Sequence, residues 1–271
     1  MGRIISIAAG AEDLFWQEEA VNIHSVYKNT INVRFRNGIY AIQPYDIWFT
    51  PMTIQVDRMP GGAVREGDFV FVTESGMVIG RERYGREAAE TRSCKIKTVM
   101  QSQTEMSCLR NLIRERLLRT SEGIAPGIML DGAGGEVSRK AHEICEKAKE
   151  FLANGHIREA AGELTSMIGL GPGLTPSGDD FLTGLMAVLW MTGEREFLSQ
   201  IRRETERNLE KTNEISAAYL FHACRGEFSE PFHYLVSMEN MMAAVHKIAS
   251  VGHSSGTDAL TGIYFGLKQF G

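Results

Sequence analysis

Gly169-Leu-Gly-Pro-Gly-Leu-Thr-Pro-Ser-Gly-Asp-Asp-Phe-Leu-Thr-Gly184 packs five glycines, two prolines and two adjacent aspartates into sixteen residues, then runs into Leu185-Met-Ala-Val-Leu. Glycine and proline punctuate the backbone, and Ser-Gly-Asp-Asp before an apolar run is the signature of a helix start. Two explanations fit a loop so constrained that ends on a helix N-terminus. Either it lines a ligand site, or it is a well-capped helix behind a tight turn.

The C-terminal stretch Val251-Gly-His-Ser-Ser-Gly-Thr-Asp-Ala-Leu-Thr-Gly262 repeats part of it. Ser177-Gly-Asp-Asp-Phe-Leu-Thr-Gly184 matches Ser255-Gly-Thr-Asp-Ala-Leu-Thr-Gly262 at six of eight positions, and both lead into apolar helical runs. The spacing predicts Ser177 and Ser255 as N-caps, with Asp180 and Asp258 three residues on as the acids of a capping box. Acids there also complement the helix dipole. Gly184 and Gly262 then fall inside helices, where glycine costs about 1 kcal/mol against alanine. That cost is most readily carried where a neighbouring backbone or a ligand comes close. The duplication predicts two helices whose first turns lie together.

Capping and packing account for the shared residues but not for the Gly169–Pro176 loop ahead of one copy. The loop therefore points to a pocket lined by Gly171–Asp180. Free N–H groups at helix starts attract phosphate or carboxylate. The Asp179–Asp180 pair disfavours a bare anion and suits an amide, a carbamoyl group or a phosphate with Mg²⁺ held through water. Asp180 has a counterpart in Asp258, whereas Asp179 is replaced by Thr257. Asp179 is thus expected to meet the substrate or a water-bound cation, and Asp180 mainly to cap. His253 is a candidate general acid or base, or else a residue that satisfies a turn. The candidate site comprises Asp179 and His253 as catalytic groups, with Gly171, Gly173, Thr175, Ser177, Gly178, Asp180, Ser255, Gly256 and Asp258 binding substrate. Arg225 is either an anion ligand or a solvated helix-end arginine.

Outward from this core, the chain divides. From about Gln103 the apolar period is helical. Helices are expected at Glu105–Leu118, Ser138–Ala153, Ile157–Met167, Asp179–Met191, Glu194–Leu209, Asn213–Cys224, Met238–Ser250 and Thr257–Gln269. Gly123-Ile-Ala-Pro-Gly-Ile-Met-Leu-Asp-Gly-Ala-Gly-Gly135 between the first two reads as a lid, a binding loop or a plain connector. Before residue 92 the pattern is of short alternating or β-branched runs: Ser25–Phe35, Gly38–Ile42, Met52–Val56, Asp68–Thr73 and Val78–Ile79. The expectation is an α+β protein, with a β-rich barrel or sandwich over residues 1–92 and an all-helical domain over 93–271.

The 271 residues are 43% hydrophobic and 23% charged, with a net charge of −5 and no basic run. This composition is that of a soluble globular protein and lacks the electrostatic footprint of a nucleic-acid binder. No apolar stretch approaches a membrane span, and the Met1-Gly-Arg-Ile-Ile start lacks the layout of a secretory signal. A cytoplasmic protein is expected. Cys94, Cys108, Cys145 and Cys224 form no CxxC pair and read as reduced, buried thiols. The methionines read as core fillers.

The Gly169–Gly184 motif, with the later Gly252-His-Ser-Ser-Gly-Thr-Asp258, resembles the AllH-like family. Thr212-Asn-Glu-Ile-Ser-Ala-Ala-Tyr-Leu220, Arg225-Gly and Glu230-Pro fit the same layout, so the resemblance extends over nearly the whole chain. Named members are described as a subunit of oxamate carbamoyltransferase in anaerobic allantoin breakdown. The resemblance implies an exchange in which oxalurate and phosphate yield oxamate and carbamoyl phosphate. It further implies anionic small-molecule ligands, further carbamoyltransferase subunits as partners, and no obligatory cofactor. The Ser-Thr-Arg-Thr and His-Pro signatures of aspartate and ornithine carbamoyltransferases are absent, so no catalytic arginine carries over from them. A non-catalytic subunit that binds a small anion or serves assembly is the alternative. A nucleotide-handling enzyme is disfavoured, because Gly-x-x-x-x-Gly-Lys-Ser/Thr is missing.

Overall fold

The computed structural model describes residues 1–16, 19–36, 38–98, 102–237 and 240–271. It contains two compact units, Met1–Cys94 and Lys95–Gly271. The first is a β-barrel and the second is helical, the α+β class read from the sequence.

Among the described residues, nine strands build the first unit: β1 (Gly2–Ala8), β2 (Ala20–Tyr27), β3 (Thr30–Phe35), β4 (Gly38–Pro44), β5 (Thr53–Val56), β6 (Phe69–Thr73), β7 (Gly76–Ile79), β8 (Glu82–Gly85) and β9 (Glu90–Arg92). The order β5-β4-β3-β2-β6-β7-β8-β1 closes on itself through β1 and β5, and β9 lies parallel beside β1. Closure rests on Ile4 opposite Val56 and Ile7 opposite Ile54. A closed barrel leaves few unpaired edges, which is how short strands become stable together. Alternation sets the inner face. On β6, Val70 and Val72 are buried while Phe69 and Phe71 are exposed. The run from Ser25 to Phe35 is two strands, with Tyr27 opposite Thr30 across a turn at Lys28-Asn29.

The second unit holds α1 (Gln103–Leu117), α2 (Ala125–Met129), α3 (Glu136–Ala153), α4 (Ile157–Thr165), α5 (Ser177–Thr192), α6 (Arg195–Arg207), α7 (Glu214–Ala223), α8 (Glu230–Ser237), α9 (Met241–Ala249) and α10 (Ser255–Phe270). The only bridge outside the named strands among the described residues joins Lys95 to Glu227. The helix expected from Met238 starts at Met241, and Met238 lies outside the described residues. Helices α2 and α8 were not anticipated. Cys108 is exposed, contrary to expectation, whereas Cys94, Cys145 and Cys224 are buried. Burial pushes the Cys145 and Cys224 thiols up to about 12.

Helices α5 and α10 form the centre of this unit. Both are buried along most of their length, so neither shows a narrow apolar stripe. A Cβ on Gly184 would sit 1.9 Å from the Ala259 carbonyl oxygen, and one on Gly262 would sit 1.9 Å from that of Phe181. The eighth residue of each repeat therefore lies against the fifth residue of the other. That reciprocity is the mark of a pseudo-two-fold pair, and it offsets the helix-propensity cost of the two glycines. Phe181 and Phe265 meet edge to face, with centroids 5.6 Å apart.

Candidate functional site

The loop from Gly169 to Pro176 turns back on itself through three glycines with positive φ: 79° at Gly169, 112° at Gly171 and 107° at Gly173. A side chain is strained at such angles, which is why the loop alternates glycine with Leu170, Pro172 and Leu174. At Gly169 there is also no room, because a Cβ would lie 2.4 Å from the Lys211 carbonyl oxygen. The Gly178 N–H donates to Leu170 O at 2.9 Å, closing the loop on the first turn of α5.

The capping expected of the repeat serines is not what the structure contains. Pro176 occupies the N-cap of α5 and Ser254 that of α10, neither with a side-chain cap bond. Ser177 and Ser255 are the first helical residues, so Asp180 and Asp258 stand one position too far on for a capping box. Each serine instead serves the other copy. The Ser255 hydroxyl acts on the Asp180 carboxyl, and the Ser177 hydroxyl on that of Asp258, each favouring the ionised form. Thr175 joins in, its Oγ1 lying 2.7 Å from Ser255 Oγ. The second repeat residue is glycine in both copies because each helix start presses on the chain just before it. A Cβ at Gly178 would meet the Met167 carbonyl oxygen at 2.0 Å, and one at Gly256 that of Ile248 at 1.9 Å. The first turns of the two helices thus lie together, as the duplication predicted.

Asp258 is fully buried. Its Oδ1 accepts the Ile124 N–H at 2.7 Å, just ahead of α2. Gly123, at φ 62°, gives this carboxylate its place, since a Cβ there would overlap Oδ1. The glycine-rich segment 123–135 therefore contributes to the cluster. On both Asp180 and Asp258, Oδ2 is buried with no hydrogen-bond partner among the described residues. Burial pushes Asp180 up to about 8; hydrogen bonds from Ser255 and Thr175 oppose the rise, and the charges of Asp258 and Asp179 add to it. Burial also raises Asp258, to about 6, against the bonds from Ile124, Ser177 and Ser254. Both shifts favour the protonated carboxyl, that of Asp180 the more strongly. Two like acids held apart in pKa form a proton donor beside an acceptor.

Asp179 has a different job from the one its sequence position suggested. Its Oδ1 accepts the Gly169 N–H at 2.8 Å, and its Oδ2 accepts the hydroxyls of Thr212 at 2.5 Å and Ser216 at 2.6 Å. Burial raises its pKa against those bonds. With both oxygens engaged, Asp179 ties the glycine loop to the start of α7. Asp180, expected to cap, is the acid with an uncommitted oxygen. His253 stands apart, its side chain 91% exposed and its Nε2 4.0 Å from Glu122 Oε1. Arg225 is held at the surface by Phe221 O, the Phe221 ring and Glu206. No group of three or more His, Cys, Asp or Glu suited to a metal occurs among the described residues. Nor is any described helix long and apolar enough to cross a membrane.

The cluster is drawn from the loop before α5, the first turns of α5 and α10, and the Ile124 amide. Residues 167–267 match the family model of AllH, the oxamate carbamoyltransferase subunit. The matched segment begins two residues before the glycine loop and ends inside α10, so it contains both copies of the repeat and the Thr212 and Ser216 hydroxyls. It is shorter than the resemblance suggested, covering neither the barrel nor α1–α4. No solved structure matches the chain. Ile124 and Gly123 were missed as site residues because their role depends on a contact 134 positions away in sequence. Thr212 and Ser216 carried a signal in the Thr-Asn-Glu-Ile-Ser run at the start of α7.

Proposed function

We propose that this chain is a subunit of a carbamoyltransferase in which oxalurate and phosphate give oxamate and carbamoyl phosphate, with the reaction centred on the first turns of α5 and α10. One observation carries the reading: the segment that matches the AllH family is the segment that holds the duplicated helix starts, joined by Thr175 and Ser255, with the buried carboxyls of Asp180 and Asp258.

A phosphate oxygen attacks the carbamoyl carbon, the carbonyl oxygen becomes an oxyanion, and the bond to the oxamate nitrogen then breaks. That nitrogen is a poor leaving group unless it takes a proton as it departs. Asp180, whose proton is held chiefly by burial with the charge of Asp258 adding to it, is the donor in this reading. Ser177, Ser255 and Thr175 orient the two carboxyls. Gly171 and Gly173 let the loop backbone approach the substrate, while Gly178 and Gly256 let the first turns of the two helices pack on Met167 O and Ile248 O. Asp179 holds the loop, and His253 has no assigned step. A pathway role in allantoin breakdown, a cytoplasmic location and partner subunits belong to the same proposal.

A second reading draws on one observation: Asp179, the acid that distinguishes the two repeats, is wholly engaged by protein donors. The chain would then be a small-anion-binding or assembly subunit, with the chemistry on another chain. Carbamoyl phosphate formation, assayed with the purified chain alone and then with its partner subunits, separates the two. Turnover that depends on the chain and falls with Asp180→Asn supports catalysis here. Turnover by the partners alone would overturn it.

A further inference from the structure

At the far end of α10 from the repeat lies a cavity of about 250 Å³ between α1, α2, α3 and α10. Asp258 and Lys268 are ten residues apart, which is roughly 15 Å along a helix. Three cations line the cavity, one from each of three helices: Arg114 (α1), Lys149 (α3) and Lys268 (α10). Tyr264 joins them on α10, while Ile128, Met129 and Phe265 supply apolar wall. Lys149 spends part of its charge on Glu146, at 2.5 Å, and the charge of Lys268 also reaches Glu146. No ion pair of Arg114 or Lys268 lies within 4 Å among the described residues. Three positive groups against one flanking acid leave the cavity with a surplus of two charges.

We infer that this cavity binds a compact phosphate-bearing molecule, at a site separate from the Asp180–Asp258 cluster. Cations from three helices converge on one small space, where like charges repel unless an anion lies between them. The guanidinium fork of Arg114 matches phosphate oxygens, the ammonium groups add point charges, and a dianion balances the surplus. A volume of about 250 Å³ exceeds inorganic phosphate and leaves room for a small group against Ile128, Met129 and Phe265. The assignment is independent of the carbamoyl-transfer reading.

The test is calorimetric titration of the full chain with inorganic phosphate, for the wild type, the Arg114→Gln/Lys268→Gln double variant and Asp180→Asn. Arg114 and Lys268 are exposed, so the double variant should keep its circular dichroism and Tm. The wild type should bind phosphate saturably, with a component of Kd about 1 mM or tighter that does not depend on Asp180. The double variant should weaken binding at least tenfold, as expected when charged hydrogen bonds are lost, and Asp180→Asn should bind like the wild type. Unchanged affinity in the double variant, or no saturation by the wild type at about 10 mM, overturns the site. Phosphate binding lost only in Asp180→Asn would place the anion at the repeat instead and also overturn it. Competition by oxamate at equal strength would overturn the choice of a phosphate group.

Discussion

Replacing Gly184 with alanine should destabilise the helical unit even though the residue lies inside a helix. A Gly→Ala change within a helix ordinarily gains about 1 kcal/mol. Here the new Cβ would sit 1.9 Å from the Ala259 carbonyl oxygen, and such contacts are essentially never closer than 3.0 Å. Helices α5 and α10 must therefore part by about 1.1 Å. A radial gap of about that size forfeits up to half of the dispersion attraction across the contact. Overpacking of this kind typically costs about 1–3 kcal/mol, and the extent of the α5–α10 interface places Gly184→Ala near the upper end. Gly262→Ala should cost the same, because its Cβ meets Phe181 O at the same 1.9 Å. The double variant is the sharper test. One separation relieves both contacts, so its cost should be about 3–4 kcal/mol rather than the sum of the singles, a coupling that double-mutant cycles resolve. Urea unfolding of the four proteins, with m-values compared, measures it. A single variant as stable as the wild type, or a double variant that is fully additive, would refute the reciprocal close packing.

The remaining predictions concern the acids. Asp180 and Asp258 have folded pKa values raised from 3.8 to about 8 and about 6, so the folded state holds protons that the unfolded state has released. Stability should be greatest below pH 4 as far as these groups are concerned, and should fall as pH rises, from about 4 to 6 for Asp258 and from about 4 to 8 for Asp180, at up to about 1.4 kcal/mol per pH unit for each group. Asp180→Asn removes one of these titrations, so its Tm relative to wild type should climb between pH 5 and pH 8; a parallel offset at every pH would contradict the raised value. Asp179→Asn should lose about 2–4 kcal/mol, because an amide nitrogen cannot accept the bonds that Gly169, Thr212 and Ser216 donate; an unchanged midpoint in urea would show those bonds are not made. Gly123→Ala should be destabilising as well, since its φ of 62° disfavours a side chain and its Cβ would overlap Asp258 Oδ1; a wild-type Tm would count against the Ile124–Asp258 bond.

Local pattern revealed elements and repeats, while long-range pairing supplied what it could not. Alternation along Phe69–Thr73 and the apolar period from Gln103 onward mark the β and helical halves directly, because each follows from side-chain geometry within one element. Barrel closure does not: Ile4 opposite Val56 has no signature in either short stretch. Helix α2 was hidden by the glycines and proline around it, which read as a connector. The repeat identified the right residues but the wrong partners. Ser-x-x-Asp spacing looks like a local capping box, whereas the Ser177 hydroxyl acts on Asp258 and that of Ser255 on Asp180 only because two helices pack at their first turns. For the same reason the sequence does not show that protein donors engage Asp179, since only the fold brings Thr212 and Ser216 to it.

The most direct measurement is phosphate-dependent cleavage of oxalurate by the chain with its partner subunits, following carbamoyl phosphate and oxamate together, for wild type and Asp180→Asn at matched folded fraction. If Asp180 supplies the proton to the departing nitrogen, the variant should lose turnover by about 100-fold or more, the usual scale of general acid catalysis, with KM for phosphate little changed. Wild-type turnover in Asp180→Asn would contradict a reaction centred on the paired helix starts.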